Sequence, residues 1–336
     1  MRIAIVGAGA MGTLLGHGFC RAGHEVSLLD RPPRVAQIRS TGTLVVVAPD
    51  GAESDARPNL ATVDYSEVGV HDVVVLATKS HDLPAVAPGL SELTNSSSTI
   101  VTIQNGIPWW YLHGLQSATD SSRIPCLDPD GQLGRLIDSS QIVGCVAYPA
   151  AMMEANGRVR HVEGYRFPIG ELDGSNRERT KLLAGLFEDA GFKSRIIDDI
   201  RSEIWLKAWG AIPINSISAL TRATMVDICT FDDTRELIEQ MMREVQVIAE
   251  AYGARFRHTL QRRIEGAKAV GAHKTSMLQD VESGRALELD ALMLAVLQLA
   301  DLAGKKAPTV RNIYACTALL NKGLLSKQGQ GGANAS

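Results

Sequence analysis

Apolar and polar positions along this 336-residue chain follow two different rhythms, and the change falls near residue 200. In the first part, short β-branched runs at 2–6, 25–30, 71–78, 98–104 and 141–147 alternate with helical or loop stretches. The first run meets Gly7, after which Met11, Leu14, Leu15 and Phe19 recur at helical spacing until Gly23. Strand, tight turn and helix, followed by more strands, predict βαβ units and a doubly wound parallel sheet, so the fold class is α/β. Shorter strands are expected at 159–162 and 167–170, a helix over 178–190 and a last strand at 193–197.

Beyond residue 200 the periodic stretches 202–220, 232–251, 285–302 and 309–321 contain few β-branched clusters and read as helices of an all-α domain. Pro308 suits the first helical position, while Gly253 and Gly304 suit helix ends. The chain is long enough for two hydrophobic cores, which divides it into an N-terminal domain 1–198, a helical domain 199–325 and a polar, glycine-rich tail 326–336 expected to be disordered. The stretch 232–251 carries more apolar positions than one helix face requires, which suggests a homodimer formed through the helical domain.

Composition narrows the partners. A 45% hydrophobic, 21% charged chain is that of a globular protein, and no apolar run approaches the ~20 residues needed to span a bilayer, so no membrane partner is expected. A net charge of −3 offers no field for nucleic acid. The small apolar start lacks the basic region of a signal peptide, and its glycines fall in a pattern with its own explanation. The five cysteines Cys20, Cys126, Cys145, Cys229 and Cys316 are scattered, without CxxC pairs or nearby histidines at metal spacing. They read as buried thiols in a reducing, cytoplasmic compartment, with no metal site.

That pattern is Gly7-Ala8-Gly9-Ala10-Met11-Gly12, a GxGxxG turn between strand and helix. Gly7 serves the tight turn, Gly9 allows a pyrophosphate to approach the backbone, and Gly12 lets helix and strand pack closely. The free N–H groups and positive dipole end of the helix then face the phosphates. Asp30-Arg31 closes the second strand and points two ways: an acid there suits the ribose 2′-hydroxyl of NAD, whereas Arg31, with Arg34 beside it, suits the 2′-phosphate of NADP. Two arginines against one aspartate favour NADP(H), although a solvated turn would also accommodate the pair.

In a doubly wound sheet the ligand crevice lies beyond the carboxyl ends of the strands, where Lys79 and Asn105 follow the third and fourth runs. Each also fits a plain loop residue, since Asn105-Gly106 is a common turn dipeptide. Residues 207, 211 and 215 are spaced to share one helix face, which carries Lys207 and Asn215 amid apolar neighbours. A poorly solvated lysine is a better acid towards a carbonyl oxygen, although Lys207 also fits a surface lysine with a buried stem. Trp109, Trp110 and Tyr111 are either a lid or a packing wedge.

Taken together, GAGAMG, Lys79, Gln104-Asn105-Gly106, Trp205-x-Lys207 with Asn215, and Thr275-Ser276-Met277-Leu278-Gln279-Asp280 followed by Glu288-Leu289-Asp290 resemble the ketopantoate reductase (2-dehydropantoate 2-reductase) family of pantothenate biosynthesis. The resemblance implies NADPH-dependent reduction of a 2-keto acid by a Rossmann domain followed by a helical domain like that of 6-phosphogluconate dehydrogenase. It makes Lys207 the proton donor and Glu288 a second catalytic residue in contact with substrate. Ser276 binds the substrate carboxylate, Asn215 also faces substrate, and Asn105 and Lys79 stand at the cofactor–substrate junction. Ser276 followed by Gln279 also has the form of a capping box, and Glu288 that of a helix-surface carboxylate. Ala211 departs from the pattern, since many family members carry an asparagine there; the loss points to a relative of ketopantoate with different bulk. An NAD-dependent dehydrogenase of another hydroxy acid and a non-catalytic NADP(H)-sensing protein are the alternatives.

Overall fold

The computed structural model describes residues 1–115 and 123–333, and the chain divides into two compact units. The first comprises Met1–Gln104, Pro108–Gly114 and Asp130–Ile200; the second comprises Asn105–Ile107, Leu115–Pro129 and Arg201–Ser336. The helical unit therefore takes in two short segments from the N-terminal half instead of starting at a single cut.

The strands belong to the first unit: β1 (Arg2–Val6), β2 (Glu25–Leu29), β3 (Leu44–Val47), β4 (Glu53–Ala56), β5 (Leu60–Thr62), β6 (Val73–Leu76), β7 (Thr99–Thr102), β8 (Ile142–Cys145), β9 (Ala150–Met153), β10 (Val159–Glu163) and β11 (Ile169–Glu171). The main sheet runs β11-β8-β7-β6-β1-β2-β5, parallel except for the antiparallel edge strand β11. Near-continuous apolar runs such as Val73–Leu76, buried throughout, are what a parallel sheet covered on both faces demands. Val6 pairs with both Leu29 and Leu76, so β1, β2 and β6 end level and open one edge to a ligand.

A second sheet, β4-β3-β10-β9, packs on the helix Ala10–Arg21 that follows the glycine turn. Its strands other than β10 go unforeseen in the sequence pattern. Leu44-Val45-Val46-Val47 carries a clear β-branched signal, whereas Glu53-Ser54-Asp55-Ala56 is a short polar edge strand with no apolar alternation. The expected strand at 193–197 is reduced to isolated bridges from Lys193 to Arg166 and from Ile196 to Ile169. Phe19, Phe167, Phe187 and Phe192 meet edge-on or tilted, with centroids 5.0 to 6.4 Å apart, and join that helix to the helix Glu178–Asp189.

The second unit is helical. Its helix Ile200–Thr221 buries Trp205 and Trp209, whose indole N–H donates to the Met242 carbonyl at 2.8 Å. Met242 lies on the helix Asp232–Ala251, where Ile238, Met241, Met242, Val245 and Ile248 form one buried stripe. That stripe is one face of the helix; Val247 outside it is exposed and Leu237 half-buried, so the apolar positions on which the dimer expectation rests are left uncovered in the single chain. The helix expected from 285 begins later. Residues 285–288 are not helical, the Leu287 N–H is taken by Asn321 Oδ1 at 2.9 Å, and a π-helical turn Asp290–Leu294 leads into Ala295–Leu302. A final helix, Pro308–Ala333, continues through the part of the tail expected to be disordered; 334–336 lie outside the described residues. No helix among the described residues is long and apolar enough to cross a membrane. None of the five cysteines forms a disulfide; Cys145 and Cys229 are buried as expected, but Cys316 is exposed and Cys20 and Cys126 half-buried.

His17, on the helix Ala10–Arg21, meets Ser54 Oγ of β4 at 3.0 Å, and burial pushes its pKa down to about 4. The unfolded chain takes up a proton on this histidine near pH 6.5, so between pH 6.5 and 4 unfolding binds a proton and acid weakens the fold, by up to ~3 kcal/mol. A His17→Gln variant is expected to lose less stability than the parent across this window. Denaturant unfolding at pH 7 and pH 4.5 measures it, and identical pH dependence in both proteins would refute a buried neutral His17.

Candidate active site

β1 delivers the chain into the glycine turn, and each glycine answers a different demand. Gly7 has φ +103°, a left-handed conformation, and a Cβ there would stand 2.7 Å from the Thr78 backbone nitrogen. At Gly12 a Cβ would overlap the Gly7 carbonyl oxygen, so the helix closes onto the strand end only because no side chain intervenes. At Gly9, by contrast, a Cβ would meet nothing within 4 Å, and the backbone is open to an approaching group. The helix starts at Gly9 without a side-chain cap and without an acid in its first turn, so the N–H groups from Ala10 and Met11 and the positive dipole end are presented to an anion. A dinucleotide pyrophosphate fits this cradle in charge and in space.

At the end of β2, Asp30 and Arg31 point in different directions. Asp30 turns back onto the turn, with Oδ2 accepting from the Ala8 N–H at 2.5 Å and Oδ1 from the Arg31 N–H at 2.6 Å. Arg31 points outward, 73% exposed along its side chain, and pairs with Asp82 at 2.5 Å. Arg34 is otherwise engaged: it donates to the Ala8 and Gly157 carbonyls, to Gln37 Oε1 and to Thr13 Oγ1. It buttresses the turn, so the sequence argument for two phosphate-gripping arginines reduces to Arg31 alone. Lys79 sits half-buried just before the turn Ser80–Asp82, three residues beyond β6.

In the second unit, burial along the helix Ile200–Thr221 picks out the face that the spacing predicts. Between Glu203 and Ala219 every residue is buried except Lys207, Ala211 and Asn215. Buried Glu203 is answered by Arg257 at 2.6 Å. Lys207 Nζ donates to Asn105 Oδ1 at 2.5 Å, which fixes the amide with its oxygen towards the lysine and its NH₂ on the other side. Asn105 is itself held by the two residues after it. Gly106 has φ +81°, and a Cβ there would overlap the Ala291 carbonyl oxygen, which accepts from the Ile107 N–H at 2.8 Å. The segment 105–107 thus joins Lys207 to the π-helical turn that begins two residues after Glu288.

Glu288 is half-buried and lies in the non-helical segment before that turn, so it is not a helix-surface carboxylate. Thr275, not Ser276, caps the helix Ser276–Glu282 by accepting from the Leu278 N–H at 3.2 Å, and the exposed Ser276 hydroxyl is left out of the cap. The aromatic run is a wedge: Trp109, Trp110 and Tyr111 are buried in the first unit, and the Trp110 indole donates to Thr102 Oγ1 at 3.0 Å. Sequence reasoning missed Asp82, Thr78 and the side chain of Gln104, which donates through Nε2 to the Leu76 and Thr78 carbonyls. Their positions just past β6 and β7 were the available signal.

A doubly wound sheet with this glycine cradle and a helical unit carrying a lysine face define a class, the dinucleotide-dependent oxidoreductases. Residues 3–174 match the family model "Ketopantoate reductase PanE/ApbA", and residues 199–321 match its C-terminal counterpart. A 2-dehydropantoate 2-reductase of Mesorhizobium japonicum is 42% identical over 316 residues, covering 94% of this chain and 96% of that protein. The crystal structure of a putative ketopantoate reductase from Ralstonia solanacearum superposes with a TM-score of 0.90 at 30% identity, covering 96% and 98% of the two chains. A ternary structure of D-mandelate dehydrogenase with NADH and anilino(oxo)acetate shares the fold at 20% identity, with a TM-score of 0.81 and coverage of 96% and 99%. The chain belongs to the ketopantoate reductase family.

The open space at Gly9 yields a prediction that separates binding from folding. Gly9 has φ −67°, which alanine tolerates, so Gly9→Ala is expected to keep the parental melting temperature while weakening dinucleotide binding at least tenfold. Thermal melts and fluorescence titration with NADPH check it. Parental affinity in the variant would mean that no ligand approaches here.

Proposed function

We propose that this protein reduces a 2-keto acid, 2-dehydropantoate or a close relative, to the 2-hydroxy acid with NADPH. The observation that carries this reading is the lysine face: between Glu203 and Ala219 the positions that are not buried are Lys207, Ala211 and Asn215, with Lys207 bonded to Asn105. When bound, the reduced nicotinamide supplies the hydride. As negative charge builds on the ketone oxygen, the Lys207 ammonium donates a proton to it, and the lysine is reprotonated from solvent. Asn105 holds the ammonium in place and keeps its amide N–H groups for substrate or cofactor. Ser276 offers its hydroxyl to the substrate carboxylate, Asn215 binds the far end of the substrate, and Glu288 contacts substrate and orders the site. Lys79 and the glycine turn hold the cofactor. The 42% identical relative, a 2-dehydropantoate 2-reductase, supports this substrate class.

For the cofactor, the inward turn of Asp30 and the outward Arg31 favour NADPH. The carboxylate already accepts two backbone N–H groups and is less able to serve ribose hydroxyls, while Arg31 is placed to take the 2′-phosphate in exchange for Asp82. Ala211 favours a second reading of the substrate, a hydroxy acid larger or less polar than pantoate. A neighbour of the same fold that is a D-mandelate dehydrogenase with NADH is in keeping with it. The protein is proposed to work in the cytoplasm, as a homodimer.

The test is steady-state NADPH oxidation with a panel of 2-keto acids, in parent and Lys207→Ala. Lys207→Ala is expected to lower kcat by about 10²–10⁴ on the best substrate with NADPH affinity unchanged. Near-parental turnover in the variant would remove Lys207 from the mechanism, and no turnover of any keto acid by the parent would remove the function.

Arg31→Ala is expected to weaken NADPH binding about tenfold or more and to leave NADH binding within twofold. Titration of both cofactors decides it; equal affinities in the parent would overturn the NADPH preference.

A further inference from the structure

Two buried polar atoms beside the glycine turn have no hydrogen-bond partner among the described residues, Thr78 Oγ1 and Gln104 Oε1. They lie together. Gln104 Nε2 donates to the Thr78 carbonyl at 3.3 Å and to the Leu76 carbonyl at 2.8 Å, and Thr78 is the residue against which Gly7 packs. The amide orientation follows from its neighbours: both are carbonyl oxygens, which only accept, so Nε2 faces them and Oε1 is left on the other side. A buried acceptor is costly to the fold until something donates to it. Both residues stand just past the ends of β6 and β7, whose last residues Leu76 and Thr102 are register partners.

We propose that Gln104 and Thr78 bind the nicotinamide nucleoside half of the dinucleotide, with Gln104 Oε1 accepting from one of its O–H or N–H donors. This deepens the reductase reading and rests on it. Sheet order selects the half. Arg31, at the end of β2, is on one side of β1, and β6 and β7 are on the other, so a dinucleotide with its pyrophosphate at the glycine turn carries its nicotinamide nucleoside over β6 and β7. The chemistry agrees, because an amide oxygen repels a phosphate but suits an uncharged group rich in donors. That half offers donors of two kinds, the ribose hydroxyls and the carboxamide NH₂.

The experiment is fluorescence or calorimetric titration of the full-length parent, Gln104→Leu and Thr78→Val, without substrate. The ligands are NADPH, 2′,5′-ADP and the 3-acetylpyridine analogue of NADPH, whose acetyl group has no N–H. Each variant is expected to bind NADPH about 5–10-fold more weakly, as for one lost hydrogen bond, and 2′,5′-ADP within twofold of the parent. Thr78→Val removes a hydroxyl that has no hydrogen-bond partner among the described residues, so its ligand-free melting temperature is expected to be at least parental. A Gln104→Leu effect that vanishes with the acetylpyridine analogue assigns the donor to the carboxamide; one that persists assigns it to the ribose. Unchanged NADPH affinity in both variants, or an equal loss for 2′,5′-ADP, overturns the assignment. Because substrate plays no part, a parent that binds NADPH but turns over no keto acid sinks the reductase reading alone. A parent that binds no dinucleotide sinks both.

Discussion

The contact between two glycines that cannot be replaced orders the first unit. Gly12 rests on the Gly7 carbonyl, and that contact fixes where the helix Ala10–Arg21 begins relative to the end of β1. Everything useful about the cradle depends on it: the helix N-terminus lies beside the open edge of the sheet, Gly9 stays exposed, and Ala8 is close enough to take Asp30 on its nitrogen and Arg34 on its oxygen. Each of those bonds in turn holds a side chain that would otherwise compete for a ligand. The turn is shaped by backbone proximity, and its electrostatics are arranged afterwards.

The second unit reaches a comparable precision by burial. Its lysine helix is enclosed along most of its length by large side chains, with Trp209 tied to Met242 and Glu203 to Arg257. A helix so constrained cannot rotate about its axis without exposing indoles, which would cost several kcal/mol. The direction of the Lys207 stem is therefore set by apolar contacts away from the amine. Asn105 completes the placement, and Gly106 makes Asn105 possible by removing the one Cβ that would collide with Ala291.

How much of this could be read in advance depends on whether the cause was local. The glycine turn and the 207–211–215 face rest on spacing alone, and the structure repeats both. The cap at Thr275 was displaced by one residue because threonine and serine are nearly interchangeable there, and only the bond to Leu278 tells them apart. Other features were decided at a distance. Arg34 looks like a phosphate ligand until Thr13 and Gly157 come near it, and residues 285–288 continue a helical pattern until Asn321 takes the Leu287 N–H. The polar strand Glu53–Ala56 exists because β3 pairs with it, and the aromatic run became a wedge because Thr102 supplies an acceptor beneath it.

The membership of residues 105–107 in the helical unit bears on inheritance. Lys207 and its acceptor are 102 positions apart in the chain, on opposite sides of the break near residue 200. A gene cut at that break, however clean it looks in the sequence pattern, would part the ammonium from its partner. Shuffling the helical half onto another nucleotide-binding half would preserve the site only if the donor brought an Asn-Gly pair at the end of the corresponding strand. For the lysine to keep its acceptor, the helical half has to be exchanged together with the segment 105–107.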